Sequence, residues 1–219
     1  MKRTIGVSLL CLAVLTLTMT AFAADKNGTV TSKDGRITTA PKGSTVEATF
    51  TAPEGLTFIY NTISSYPLGS YWCCEGYTLS GPTSLVANTF ADGMPFTPSA
   101  NYTVTEIVVG VGNVSGTNSI QVELDADNNG LPGATLTSFY LVNEPIFGTC
   151  CTYQFKSTLS VPVTAGTQYW VVLAPGASDT WAAWNDNVTN ETSQPFAFYD
   201  NGVWEGVEGD LADFAVLGH

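Results

Sequence analysis

The segment Asn118-Ser119-Ile120-Gln121-Val122-Glu123-Leu124 alternates strictly, and this alternation constrains the fold more than any other feature of the chain. Ile120, Val122 and Leu124 point one way, while Gln121 and Glu123 point the other. A period of two is the signature of a half-buried strand. Thr158–Val163 repeats the pattern with Leu159, Val161 and Val163. Tyr102–Val111 and Tyr169–Leu173 are denser in β-branched and aromatic residues, as central strands require. Shorter strands are expected at Val46–Phe50, Leu56–Asn61, Leu85–Phe90, Ala134–Tyr140, Phe196–Tyr199 and Phe214–Leu217.

Turn residues separate these runs: Asn129-Gly130-Leu131-Pro132-Gly133, Ala165-Gly166, Pro175-Gly176 and Asp200-Asn201-Gly202. Asn-Gly between apolar runs is a hairpin signal, because both residues tolerate the positive φ of a tight turn. No stretch carries a capped helical period of useful length. Short, regularly spaced strands without helices predict an all-β chain. The expected architecture is a jelly-roll-like β-sandwich of mainly antiparallel strands over residues 46–219, preceded by a flexible N-terminal arm.

The chain opens Met1-Lys2-Arg3, continues through an apolar core at Ile5–Leu17 and reaches Ala21-Phe22-Ala23. A basic start, a short apolar run and a small-x-small site predict a cleavable signal peptide over 1–23. The apolar core is too short and too rich in Thr for a membrane span of roughly 20 apolar residues. Cys11 follows Leu10 inside that core, which excludes lipidation. The expected destination is secreted or periplasmic, with no membrane contact after cleavage.

Residues 24–45 carry Lys26, Lys33, Arg36 and Lys42 among Thr, Gly, Ser and Asp, and define the arm. Cleavage leaves five basic residues against nineteen acidic ones, a net charge of −14. Such a field repels nucleic acid and anionic membranes.

The single histidine is His219. As the last residue, it leaves little room for most imidazole-based triads, imidazole zinc sites and histidine general bases. No phosphate loop, dinucleotide fingerprint or nucleophile elbow is present. A glycosidase needs only two carboxylates, and Glu205, Glu208, Asp210 and Asp213 are close in sequence. A glycan-active hydrolase is therefore the alternative to the expected non-catalytic binding or surface module.

Two further groups carry candidate chemistry. Trp181, Trp184, Asn185, Asp186, Tyr199 and Trp204 lie in an Asn- and Asp-rich region. Exposed rings beside amides and carboxylates can stack on the apolar face of a sugar and bind its hydroxyls. In an extended segment the spacing of three places Trp181 and Trp184 on opposite faces; Trp184 is the expected exposed member. Asp125, Asp127 and Asn129 match the first half of a calcium loop closed by Gly130. Its twelfth position is Leu136, where a bidentate Glu belongs, and the competing reading is a polar hairpin turn. Calcium is thus a possible cofactor, and an extracellular glycan or surface component the expected partner.

Outside the signal the cysteines form two adjacent pairs, Cys73-Cys74 and Cys150-Cys151. An even count in an exported chain predicts disulfides. Three connectivities are open: two join the two pairs, and the third closes each pair on itself. Tetrathiolate zinc normally uses Cys-x-x-Cys, which these pairs lack. A staple between the pairs would contribute about 4–5 kcal/mol in the chain-entropy model.

Several of these segments also carry a family resemblance. They are Tyr71-Trp72-Cys73-Cys74-Glu75-Gly76-Tyr77-Thr78-Leu79-Ser80-Gly81-Pro82, Phe96-Thr97-Pro98-Ser99, Asp127-Asn128-Asn129-Gly130-Leu131-Pro132-Gly133, Cys150-Cys151, Ala165-Gly166-Thr167-Gln168-Tyr169-Trp170 and Asp179-Thr180-Trp181-Ala182-Ala183-Trp184. Over roughly residues 58–217 the chain resembles bacterial secreted β-sandwich proteins of the choice-of-anchor kind, often found with a PEP-CTERM sorting tail. The resemblance implies the fold and export, and no chemistry. At Leu217-Gly218-His219 the chain departs from the sorted members, which carry that tail, and this puts cell-surface sorting in doubt.

Overall fold

The computed structural model describes residues 29–30, 35–38, 52, 54–63, 71–148, 154–187, 189 and 191–219. The signal segment 1–23 and the expected strand at 46–50 lie outside them. The described residues contain no helix. Their strands are β1 (Thr29–Val30), β2 (Arg36–Thr38), β3 (Thr57–Asn61), β4 (Tyr71–Ser80), β5 (Phe90–Phe96), β6 (Tyr102–Val109), β7 (Val111–Ser115), β8 (Ser119–Asp127), β9 (Pro132–Val142), β10 (Gln154–Val163), β11 (Tyr169–Pro175), β12 (Trp181–Asn187), β13 (Gln194–Asp200), β14 (Val203–Gly209) and β15 (Phe214–Gly218).

The strands form an antiparallel β-sandwich with sheets of unequal size. The small sheet runs β10-β6-β15-β3. The large one runs β1-β2-β4-β5-β11-β8-β9, and it branches: β12 pairs with β4 and β7, and β13 pairs with β5 and β14. Within the arm, β1 pairs with β2 and β2 pairs with β4, so its described part is docked on the large sheet.

Both expected Asn-Gly turns form. Asn129 and Gly130 have φ of 56° and 83° between β8 and β9, and Asn201 and Gly202 have 45° and 106° between β13 and β14. Two consecutive positive φ values define the turn whose twist matches a hairpin. The strand expected at Leu85–Phe90 is a correction. Residues 82–89 are turn and bend, and the strand begins at Phe90. Leu85 is 59% exposed, so its apolar character reports no core position.

The inner faces of the two sheets meet in one core. It includes Met94, Phe96, Ile120, Val122, Leu124, Val171, Leu173, Trp184, Phe196 and Phe198 from the large sheet, and Val104, Ile107, Phe214 and Val216 from the small one. The alternation of β8 is realised in full, with Ile120, Val122 and Leu124 buried in that core. At the usual ~25 cal/mol per Å² of apolar surface, a core of this extent is the dominant stabilising element of the fold.

Candidate functional site

The register of the large sheet decides which side chains share its outer, solvent-facing side. Paired residues in adjacent strands lie on one face, and the face alternates along each strand. Phe196 and Phe198 face the core, so Ala197 and Tyr199 face outward. Tyr199 pairs with Trp204 on β14 and with Ala91 on β5. Ala174 of β11 pairs with Gln121 of β8, and Gln121 with Tyr140 of β9. Since Asp92 pairs with Leu173, Ala91 and Ala174 are the next outward neighbours.

A continuous row therefore runs Trp204–Tyr199–Ala91–Ala174–Gln121–Tyr140. From β13 to β9 it crosses four strand spacings, about 19 Å. One end is an aromatic pair: the Tyr199 and Trp204 rings meet edge to face with centroids 5.3 Å apart. Trp204 is partly buried and packs against Trp170, Val172 and Ala197, which fixes the ring while leaving part of it open. At the other end Tyr140 is 58% exposed and its hydroxyl donates to Gln121 Oε1 at 3.3 Å. Gln121 Nε2 donates to Glu123 Oε1 at 2.6 Å. Between the two ends lie two small residues, Ala91, which is buried, and Ala174, which is partly exposed.

The hairpin tip between β8 and β9 folds onto the same face. Its docking depends on a missing side chain at Gly93, where a Cβ would come within 2.9 Å of Pro132 Cγ. Asp127 is the latch. Its Oδ1 accepts from Trp170 Nε1 and Gln168 Nε2, each at 2.8 Å, and its carboxylate accepts from the Gly130 amide. Burial opposes ionisation here, but the bonds from Trp170, Gly130 and Gln168 outweigh it, and the Asp127 carboxyl sits below its ordinary range.

Asp125 differs: it is buried, and its Oδ1 has no hydrogen-bond partner. Burial pushes its pKa up to about 6, with the nearby Glu123 charge adding to the rise and a Thr135 hydrogen bond opposing it. Asn129 is exposed and its amide donates to Asn128 Oδ1. Of the expected calcium set, Asp125 is buried, Asp127 is bonded to Trp170, Gln168 and the Gly130 amide, and Asn129 is exposed. Among the described residues no three His, Cys, Asp or Glu side chains are grouped to hold a metal ion.

The expected platform at Trp181 and Trp184 requires correction. The two rings do lie on opposite faces of β12, but both are buried, at 3% and 0% exposure. Trp184 is in the main core, and Trp181 packs with Val114, Phe147 and Ala183 on the other side. Asn185 and Asp186 are buried as well. The reason is packing on both faces: the main core covers one side of β12, and Val114 with Phe147 covers the other. Of the six aromatic-region candidates, Tyr199 and Trp204 alone reach the open face.

Two of the carboxylates considered for hydrolysis diverge on β14. Glu205 pairs with inward-facing Phe198, and Glu208 with outward-facing Pro195, so they leave opposite faces of β14. Asp213 is fully buried.

Cys73 and Cys74 sit in β4, where Gly76 pairs with Asn185 and Trp72 with Asp186, so the cysteines and Glu75 form a bulge. Cys150 and Cys151 lie outside the described residues.

Sequence reasoning missed Gln121, Glu123 and Tyr140 as site residues. Their outward direction was readable from the alternation of β8 and β9, but not which strands lie beside them. Fold and face together define an antiparallel β-sandwich with an open, aromatic-ended outer row. No protein-family model, curated protein or solved structure matches this chain.

Proposed function

We propose that this protein is an exported, non-catalytic binding module that holds an extracellular glycan or a similar surface component along the outer face of its large sheet. One observation carries the reading: the row from Trp204 and Tyr199 to Gln121 and Tyr140 combines open rings with hydrogen-bonding side chains on one face of the sheet. Aromatic faces take the apolar side of a sugar, while Gln121, Glu123 and the Tyr140 hydroxyl take its hydroxyl groups. A shallow face suits an extended chain ligand better than a compact metabolite, which needs an enclosing cleft. The signal at 1–23 supports delivery outside the cytoplasm, and the strong negative charge directs the site toward neutral or cationic ligands.

A glycan array probed with the exported protein tests the reading. Retention should fall at least tenfold in Trp204→Ala and in Tyr140→Ala, with far-ultraviolet circular dichroism unchanged. Equal retention by wild type and both variants, or none by the wild type, would overturn it.

A further inference from the structure

Six carboxylic side chains are buried among the described residues: Asp92, Glu106, Asp125, Glu144, Asp186 and Asp213. The lysine and arginine residues described are Arg36 and Lys156. A buried carboxylate without compensation is costly.

Glu144 is the clearest case. It is 4% exposed, and neither carboxylate oxygen has a hydrogen-bond partner. Its backbone is held on both sides. The Glu144 amide donates to Asn118 Oδ1 and Asn118 Nδ2 donates to the Glu144 carbonyl, both at 2.9 Å. The chain then runs beside β7: Asn113 N donates to Pro145 O at 2.7 Å and Phe147 N donates to Asn113 O at 2.8 Å. These bonds close a parallel bridge between Asn113 and Ile146. Bridged residues share a face, as do residues two apart in extended chain. Asn113 and Glu144 therefore emerge on the same side. The Asn113 Oδ1 is likewise buried and without a partner.

We propose that Glu144 and Asn113 form a binding site for one hard divalent cation, with calcium the fitting ion for an exported protein. The donor set is three oxygens: two from a carboxylate that can bind bidentately, and one amide carbonyl. Diagonal neighbours in a ladder stand about 7–8 Å apart, a gap bridged by a cation with oxygen contacts of about 2.3–2.6 Å. Water completes the shell. The clamp by Asn118 and the bridge to β7 place both ligands before the ion arrives. The site is independent of the proposed ligand face.

The test is calorimetric titration of calcium chloride into the full exported chain, stripped with chelator, at pH 7.5, with melting curves alongside. One site with a Kd of about 10⁻⁴–10⁻³ M is expected, with a melting temperature that rises with calcium. Glu144→Gln and Asn113→Ala should each weaken binding at least tenfold. Glu144→Gln should melt no lower than the stripped wild type, because its amide can donate to Asn113 Oδ1. Asp125→Asn should bind calcium as the wild type does. No binding heat, or heat unchanged in both site variants, overturns the proposal. So does a stripped protein that gains its full stabilisation on acidification and none from calcium, since Glu144 would then hold a proton instead.

Discussion

The Trp184 indole donates a buried 3.0 Å hydrogen bond from Nε1 to the backbone carbonyl of Asp213, tying the large sheet to the segment that leads into β15. The same ring meets Phe214 edge to face at 5.9 Å, and Asp213 N donates to Asn185 O at 2.8 Å. Trp184 thus closes one end of the sandwich rather than presenting a surface.

That relationship predicts a large structural effect. Trp184→Ala removes a fully buried ring and leaves the Asp213 carbonyl without this donor. The expected loss is about 3–5 kcal/mol. Trp184→Phe keeps much of the volume and should lose less. Chemical denaturation of both variants checks the order. A Trp184→Ala protein within about 0.5 kcal/mol of wild type would show that the ring is not a core element.

Asp125 predicts a pH dependence of known sign. Its folded pKa of about 6 lies above the ordinary 3.8. Below the ordinary value, both folded and unfolded chains hold the proton. Between the two values the folded state retains a proton that the unfolded chain has released, so stability falls as pH rises through this window. Above about pH 6 the loss is complete and levels off at roughly 2–3 kcal/mol. Asp125→Asn should remove this dependence and melt higher than wild type at pH 8. Denaturation midpoints for wild type and variant between pH 4 and 8 give the comparison; parallel curves would refute the assignment.

The elements readable in the sequence were those whose alternation is local. Ile120, Val122 and Leu124 identify β8 because one side of it faces the core and the other faces water. The Asn-Gly turns were readable because positive φ favours those residues. β12 was not readable, since Trp181-Ala182-Ala183-Trp184-Asn185-Asp186-Asn187 is buried on both faces and shows no alternation. β14 was missed for the opposite reason: as an edge strand with both faces largely open, it alternates only weakly. The open row depended on strand order. Tyr199 and Tyr140 stand on one face because β5, β11 and β8 lie between their strands, and no local pattern encodes that adjacency.

Export is tested at the new N-terminus. Mass spectrometry of secreted protein should place it at Ala24 or Asp25, following the Ala21-Phe22-Ala23 site. A secreted chain that retains Met1 would refute cleavage.

The cysteines give the last prediction. Asn185 pairs with Gly76, two residues after Cys74, and its amide donates to the Gly110 carbonyl at 2.9 Å. Gly110 follows Val109, which pairs with Gln154, three residues after Cys151. Gly76, two residues after Cys74, and Gln154, three residues after Cys151, thus stand on strands that meet near Gly110. A bulge in β4 at Cys73 and Cys74 also frees that stretch from regular pairing with β12. These features favour a staple between the two pairs over two closed vicinal rings. Closing so long a loop should contribute about 4–5 kcal/mol, so reduction of the folded protein should lower its melting temperature by roughly 10 °C or more. Non-reducing peptide mapping should recover a single species joining the Cys73-Cys74 peptide to the Cys150-Cys151 peptide. Separate peptides, each two mass units lighter than its reduced form, would instead establish vicinal bonds.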